Sequence, residues 1–213
     1  MPAPNAPRLA SARAATALGA VAAALAVTGC GQLWAGTADP PTVRPGELTA
    51  ADGDPCPAEL PTGEDPSGHG FGATSPAEQL PHLLEPEEAW LCRYDFFDRD
   101  SDNTNGTVLG WRHSGEPRPV APEDLPALEA ALDDLTLPNP QQGCNADLGP
   151  RWMVSYSHEG DLTGVVVDEY GCRTVRLTDD PHSTPPGADD QDGTVGGVLD
   201  GGGAVLKALG SPQ

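Results

Sequence analysis

The chain has 213 residues, with 32 acidic side chains against 11 basic ones and a formal net charge of −21. Gly (26) and Pro (24) are abundant and only 4 Trp, 3 Tyr and 3 Phe are present, which points to one domain with a small core and unstructured ends. The acidic balance excludes nucleic-acid binding, because no surplus of Lys and Arg exists to displace counterions from phosphates, and it opposes an anionic membrane surface unless a covalent group holds the protein there.

Residues 1–29 carry Arg8 and Arg13 and no acid, followed by an apolar run from Ala14 to Val27 interrupted only by Thr16 and Gly19. A basic start, a short apolar stretch and small residues at its end describe a secretory signal peptide, and the run is shorter than the roughly 20 residues of a membrane span. Val27-Thr28-Gly29-Cys30 resembles the lipobox of bacterial lipoproteins. The resemblance implies a diacylglyceryl group on the Cys30 thiol, cleavage that makes Cys30 the first residue, and fatty acyl chains such as palmitate in the bilayer. Two or more chains anchor a protein stably. No Arg-Arg pair precedes the apolar run, which favours the general secretion route. The Ala/Gly/Pro/Asp-rich vocabulary resembles that of high-GC Gram-positive bacteria, which implies the extracellular face of the cell membrane as the location. Loss of Arg8 and Arg13 takes the formal charge from −21 to −23.

Residues 30–54 are rich in Pro, Gly, Thr and Asp without apolar periodicity and read as a flexible membrane tether; residues 55–213 read as a single domain. From Cys56 to Leu84 the chain reads as irregular, most flexible in Gly68-His69-Gly70-Phe71-Gly72. Trp90, Cys92, Tyr94 and Phe96 alternate onto one face of a strand, with Arg93 and Asp95 on the wet side. Thr107–Arg112 gives a second strand with Leu109 and Trp111 inward, joined to the first by a loop ending in Asn105-Gly106. Asp124 is placed to cap a helix through Leu135 whose Leu125, Leu128, Leu132 and Leu135 form one stripe. Residues 152–178 read as a three-strand meander, turning at His158-Glu159-Gly160-Asp161 and at Glu169-Tyr170-Gly171-Cys172, with Trp152, Val154 and Tyr156 inward against Met153, Ser155 and Ser157. After a polar loop at 179–194, Val195, Val198, Leu199, Val205, Leu206 and Leu209 fit one face of a glycine-weakened helix. The order β-β-α-β-β-β-α predicts an α+β fold, a small antiparallel sheet of about five strands with helices on one face.

Setting Cys30 aside leaves four cysteines, an even number that in an exported chain implies disulfides with three possible connectivities. Cys56–Cys92 and Cys144–Cys172 each close one structural unit, and in the chain-entropy account loops of 36 and 28 residues contribute about 3–4 kcal/mol each. No C-x-x-C spacing supports zinc. The signposts Cys56-Pro57, Cys92-Arg93-Tyr94 and Gly171-Cys172 are similar to those of uncharacterised exported lipoproteins of high-GC Gram-positive bacteria, a resemblance that implies no activity.

The sharpest local motif is Asp98-Arg99-Asp100-Ser101-Asp102, whose alternating carboxylates suit calcium. Asp98, Asp100 and Asp102 are therefore candidate ligands, although Asn103 and Leu109 stand where an EF-hand has Gly and Glu, and a solvated hairpin loop explains the run equally. His69, His82, His113, His158 and His182 show no i, i+3 or i+4 pairing and read as exposed loop residues. No nucleophile elbow or phosphate loop occurs. Trp90, Trp111 and Trp152 fall at inward strand positions, as core residues do. The expectation is a monomeric, non-enzymatic lipoprotein without a cofactor, held at the membrane through Cys30 and binding an envelope protein or ligand, in a regulatory capacity. The alternatives are a small extracellular hydrolase using acids with His113 or His158, and a calcium-dependent module.

Overall fold

The computed structural model describes residues 36–99, 108–145 and 148–210. The signal segment, Cys30, the first residues of the expected tether and most of the Asp98–Gly106 loop, including Asp100 and Asp102, lie outside them. No helix among the described residues is long and apolar enough to cross a membrane.

The sequence forms the expected antiparallel sheet. Strands β1 (Glu88–Arg99), β2 (Val108–His113), β3 (Arg118–Pro119), β4 (Arg151–His158), β5 (Asp161–Asp168) and β6 (Val175–Thr178) are arranged β2-β1-β4-β5-β6, with the short β3 also beside β1. The β4–β5 hairpin turns through Glu159 and Gly160, both at positive φ (52° and 84°), the backbone that matches a two-residue turn to strand twist. That turn fixes the register, and Arg151 falls opposite Asp168.

Alternation along the strands leads to an unexpected result: the sheet is buried on both faces. On one face Ala89, Leu91, Val154, Tyr156, Val165, Val167, Val175 and Leu177 pack under helices α2 (Leu125–Asp133) and α3 (Gly202–Ala208). On the other, Cys92, Tyr94, Met153 and Val166 are covered by the irregular segment around Cys56, Leu60 and Phe71. Met153, Ser155 and Ser157, expected to face solvent, are therefore buried, while Phe96, expected inward, is 46 % exposed. The covering segment also closes the β2 edge, with the Leu60 N–H donating to Trp111 O and the His113 N–H to Ala58 O. Leu199 does the same for β6 through two 2.9 Å bonds with Val175, so neither edge is left open to another chain.

Two helix expectations need correction. Asp124 makes no capping bond, because a 3₁₀ turn at Pro122–Asp124 already places it in right-handed helical backbone (φ −93°, ψ −14°). The Leu stripe holds, with Leu128, Leu132 and Leu135 buried. The last helix starts at Gly202 rather than near Val195. Val198 and Leu199 are extended and spend their backbone bonds on Ser75 and Val175, since unpaired edge groups offer more than a helix containing Gly196, Gly197 and Gly201. Arg118 Nη2 donates to Leu209 O at 2.7 Å and closes the C-terminal end of α3.

Both disulfides have the expected connectivity. Cys56–Cys92 staples the cover to β1 with both residues fully buried, and Cys144–Cys172 ties the loop before β4 to the β5–β6 turn (Cα–Cα 6.0 and 5.0 Å).

The tether expectation is corrected from residue 36 onward. Ala38 is buried, its N–H bonds Leu80 O, and helix α1 (Glu47–Ala50) lies against the β4–β5 turn. Glu47 accepts the Leu162 N–H at 3.0 Å, while Asp161 accepts the Arg44 N–H at 3.0 Å. Burial and the adjacent Asp161 carboxylate push the Glu47 carboxyl up to about 7, against the opposing pull of the Leu162 amide and Arg44. The native state thus binds this proton more tightly than the unfolded chain, so the stabilisation is complete below about pH 4.5 and lost as pH rises through 7. Between pH 5 and pH 8 the wild type should lose melting temperature by a step that Glu47→Gln lacks; parallel profiles for the two proteins would count against this assignment.

Candidate functional site

The three charged residues Arg151, Asp168 and Arg176 lie side by side on the irregularly covered face of β4, β5 and β6, each no more than 5 % exposed. Arg151 Nε donates to Asp168 Oδ1 at 2.7 Å and Arg176 Nη1 to Asp168 Oδ2 at 2.8 Å, with the Thr174 hydroxyl donating to Oδ2 at 2.6 Å. Burial alone would raise the Asp168 pKa, but the two guanidinium groups and Thr174 hold it at about 2. Two cations around one anion leave a formal excess of +1 in the interior of a strongly acidic protein.

The rest of each guanidinium is held by the cover. Arg151 Nη2 donates to Phe71 O (2.7 Å) and the Tyr170 hydroxyl (3.3 Å), and Arg176 Nε to Ala73 O (2.6 Å). The Arg151 guanidinium lies 3.6 Å from the centroid of the Trp111 ring, a cation–π contact strengthened by desolvation. Arg151 Nη1 and Arg176 Nη2 have no acceptor among the described residues.

Both arginines border a cavity of about 330 Å³, the lower end of the small-molecule range. Phe71 and Trp111, a tilted pair with centroids 6.2 Å apart, form part of its wall, with Pro185 and Pro186 contributing from the 179–197 segment and exposed Glu64, Asp189 and Asp190 at the rim. Of the stretch read as most flexible, Gly70, Phe71 and Gly72 line the cavity. Asp65 accepts the Gly70 N–H (2.5 Å), the Gly72 N–H (3.2 Å) and the Ser67 hydroxyl (2.6 Å), and these bonds, outweighing burial, lower its pKa. Gly70 sits at φ +87° with no room for a Cβ beside the Leu109 carbonyl, so only glycine fits.

None of the five histidines lines this cavity. His113 forms a tilted ring pair with Tyr94 (centroids 5.5 Å apart), His158 Nδ1 is 3.0 Å from Glu85 O, and His182 Nε2 is 3.0 Å from Asp54 O. Of the calcium candidates, Asp98 is exposed at the end of β1 and Asp100 and Asp102 fall outside the described residues. The neighbouring Arg99 is engaged by Glu59 at 3.0 Å. Among the described residues no group of three or more His, Cys, Asp or Glu side chains could hold a metal ion. Trp111 is buried and borders the cavity, whereas Trp90 and Trp152 are half-buried on opposite faces of the sheet.

The sequence reading did not single out Arg151, Asp168 or Arg176. For Arg151 and Asp168 the signal was the two-residue turn at Glu159-Gly160, which by counting back places them opposite each other. Comparison with protein-family models, curated proteins and solved structures finds no match.

Proposed function

We propose that this chain is a lipid-anchored extracytoplasmic binding protein, non-enzymatic, that takes a small ligand in the cavity floored by Arg151 and Arg176. The observation that carries the reading is the pair of buried guanidinium groups with unspent donors opening on that cavity. Burying a charge costs several kcal/mol unless it is paired, and the excess charge here is best matched by a bound anion. The signal segment and Cys30 supply the location, and an acyl anchor explains how so acidic a protein stays at a membrane surface that repels it. The hydrolase alternative would need a histidine among the cavity residues, where this site offers arginines.

The test uses cells fed an alkyne-bearing palmitate analogue. Wild-type protein should carry the label and sediment with membranes, and Cys30→Ala should do neither. Small molecules from a cell-envelope extract should raise the melting temperature of the wild type but not of Ala188→Phe, which fills the cavity. Labelling that survives Cys30→Ala would overturn the anchor, and equal shifts in both proteins would overturn the binding site.

A further inference from the structure

The charges around the cavity are graded by burial: arginines at the floor, half-buried Asp65 with its oxygens already accepting from Gly70, Gly72 and Ser67, and exposed carboxylates at the rim. At the floor the Arg151–Asp168–Arg176 trio has a formal excess of one positive charge, which a single carboxylate neutralises and a phosphate dianion overshoots. A planar carboxylate also has two oxygens, one to accept from each guanidinium, and such charge-assisted hydrogen bonds are the strong ones. At the rim, Glu64, Asp189 and Asp190 are exposed. They repel a simple anion on its way in and favour a ligand that brings its own positive charge. Phe71 and the rings of Pro185 and Pro186 also line the cavity, suited to an apolar body, while one face of Trp111 is taken by the Arg151 guanidinium.

We infer that the cavity takes a zwitterionic small molecule of the amino-acid class, its carboxylate seated on Arg151 Nη1 and Arg176 Nη2 and its ammonium group turned toward Asp189 and Asp190. The inference rests on the reading of this cavity as the binding site and names its ligand chemistry. Asp168 is a positioning residue in this arrangement: it holds the two guanidinium groups side by side and leaves one nitrogen of each for the ligand.

The experiment is calorimetric titration of the intact, lipidated protein in detergent micelles with four matched probes. L-Phenylalanine carries both charges, L-phenylalaninamide lacks the carboxylate, 3-phenylpropionate lacks the ammonium group, and inorganic phosphate offers an anion alone. Phenylalanine should bind saturably. The amide should bind at least about tenfold more weakly, because it leaves buried donors unpaired. Phenylpropionate should also be weaker, and its deficit should shrink in the Asp189→Asn, Asp190→Asn double variant, whose changes lie on the exposed rim and leave the floor intact. An amide that binds as well as the amino acid, tighter binding of phosphate, or no saturable binding of phenylalanine would each overturn the proposal. If that happens while an envelope compound still stabilises the wild type and not Ala188→Phe, only the ligand class falls. If no compound distinguishes those two proteins, the binding reading falls with it.

Discussion

Asp168→Asn is expected to cost about 3–5 kcal/mol of folding stability. The carboxylate is the common partner of two guanidinium groups whose side chains are 6 % exposed, and its loss leaves two like charges buried together with no anion between them. Urea unfolding at pH 7 measures the effect directly, and a loss below about 1 kcal/mol would show that the trio is not the internal electrostatic tie described above. The wild type should show the matching pH signature. Because the Asp168 pKa is depressed to about 2, its contribution is fully present above the ordinary value near 4 and lost as pH falls through 2. The Asn variant should lack that acid limb. Replacing all three residues together by apolar ones is expected to be far milder than Asp168→Asn alone, since a desolvated ionic cluster is often no more stabilising than a hydrophobic one of similar volume. Such a triple variant would nevertheless lose ligand binding.

The second large effect concerns the staples. Removing Cys56–Cys92 by paired alanine substitutions should cost about 2–5 kcal/mol, at the upper part of that range because both cysteines are fully buried between β1 and its cover. The same change at Cys144–Cys172 should cost less, since Cys144 is exposed and Cys172 half-buried. Under mild reductant, mass spectrometry of trapped thiols should find Cys144 and Cys172 free first; the reverse order would contradict the burial argument. Loss of the first bridge should also weaken ligand binding, because the cover it holds supplies Phe71 O and Ala73 O to the two arginines.

These effects bear on what the sequence makes legible. Strand and helix order follows from apolar periodicity and turn chemistry: the Glu159-Gly160 hairpin and the Leu128–Leu132 stripe read directly, while the disulfide pairing is one of three open to four cysteines. What does not read is which face of the sheet is wet. Period-two alternation assumes one solvent face, and here a segment without regular structure covers the second. Met153 and Ser155 are thereby hidden although their pattern says otherwise. The same limit hides the site. Arg151 and Arg176 look like ordinary solvent-facing strand charges until the cover closes over them. That cover is built from Asp65 bonding its own loop and from backbone bonds between segments far apart in sequence, neither of which has a periodic signature. Residues 36–54 show the same limit on a smaller scale. Their Pro- and Gly-rich composition suggests a free tether, yet Glu47 and Arg44 are anchored by specific groups on β5.

The measurement closest to the central claim is native mass spectrometry of the protein isolated from its own cells in mild detergent, with wild type and Ala188→Phe prepared side by side. A small-molecule adduct should appear on the wild type, vanish on collisional activation, and be missing from Ala188→Phe although that variant is folded. Identical spectra from the two proteins, with or without an adduct, would contradict the assignment of the arginine-floored cavity as the place where this protein binds its ligand.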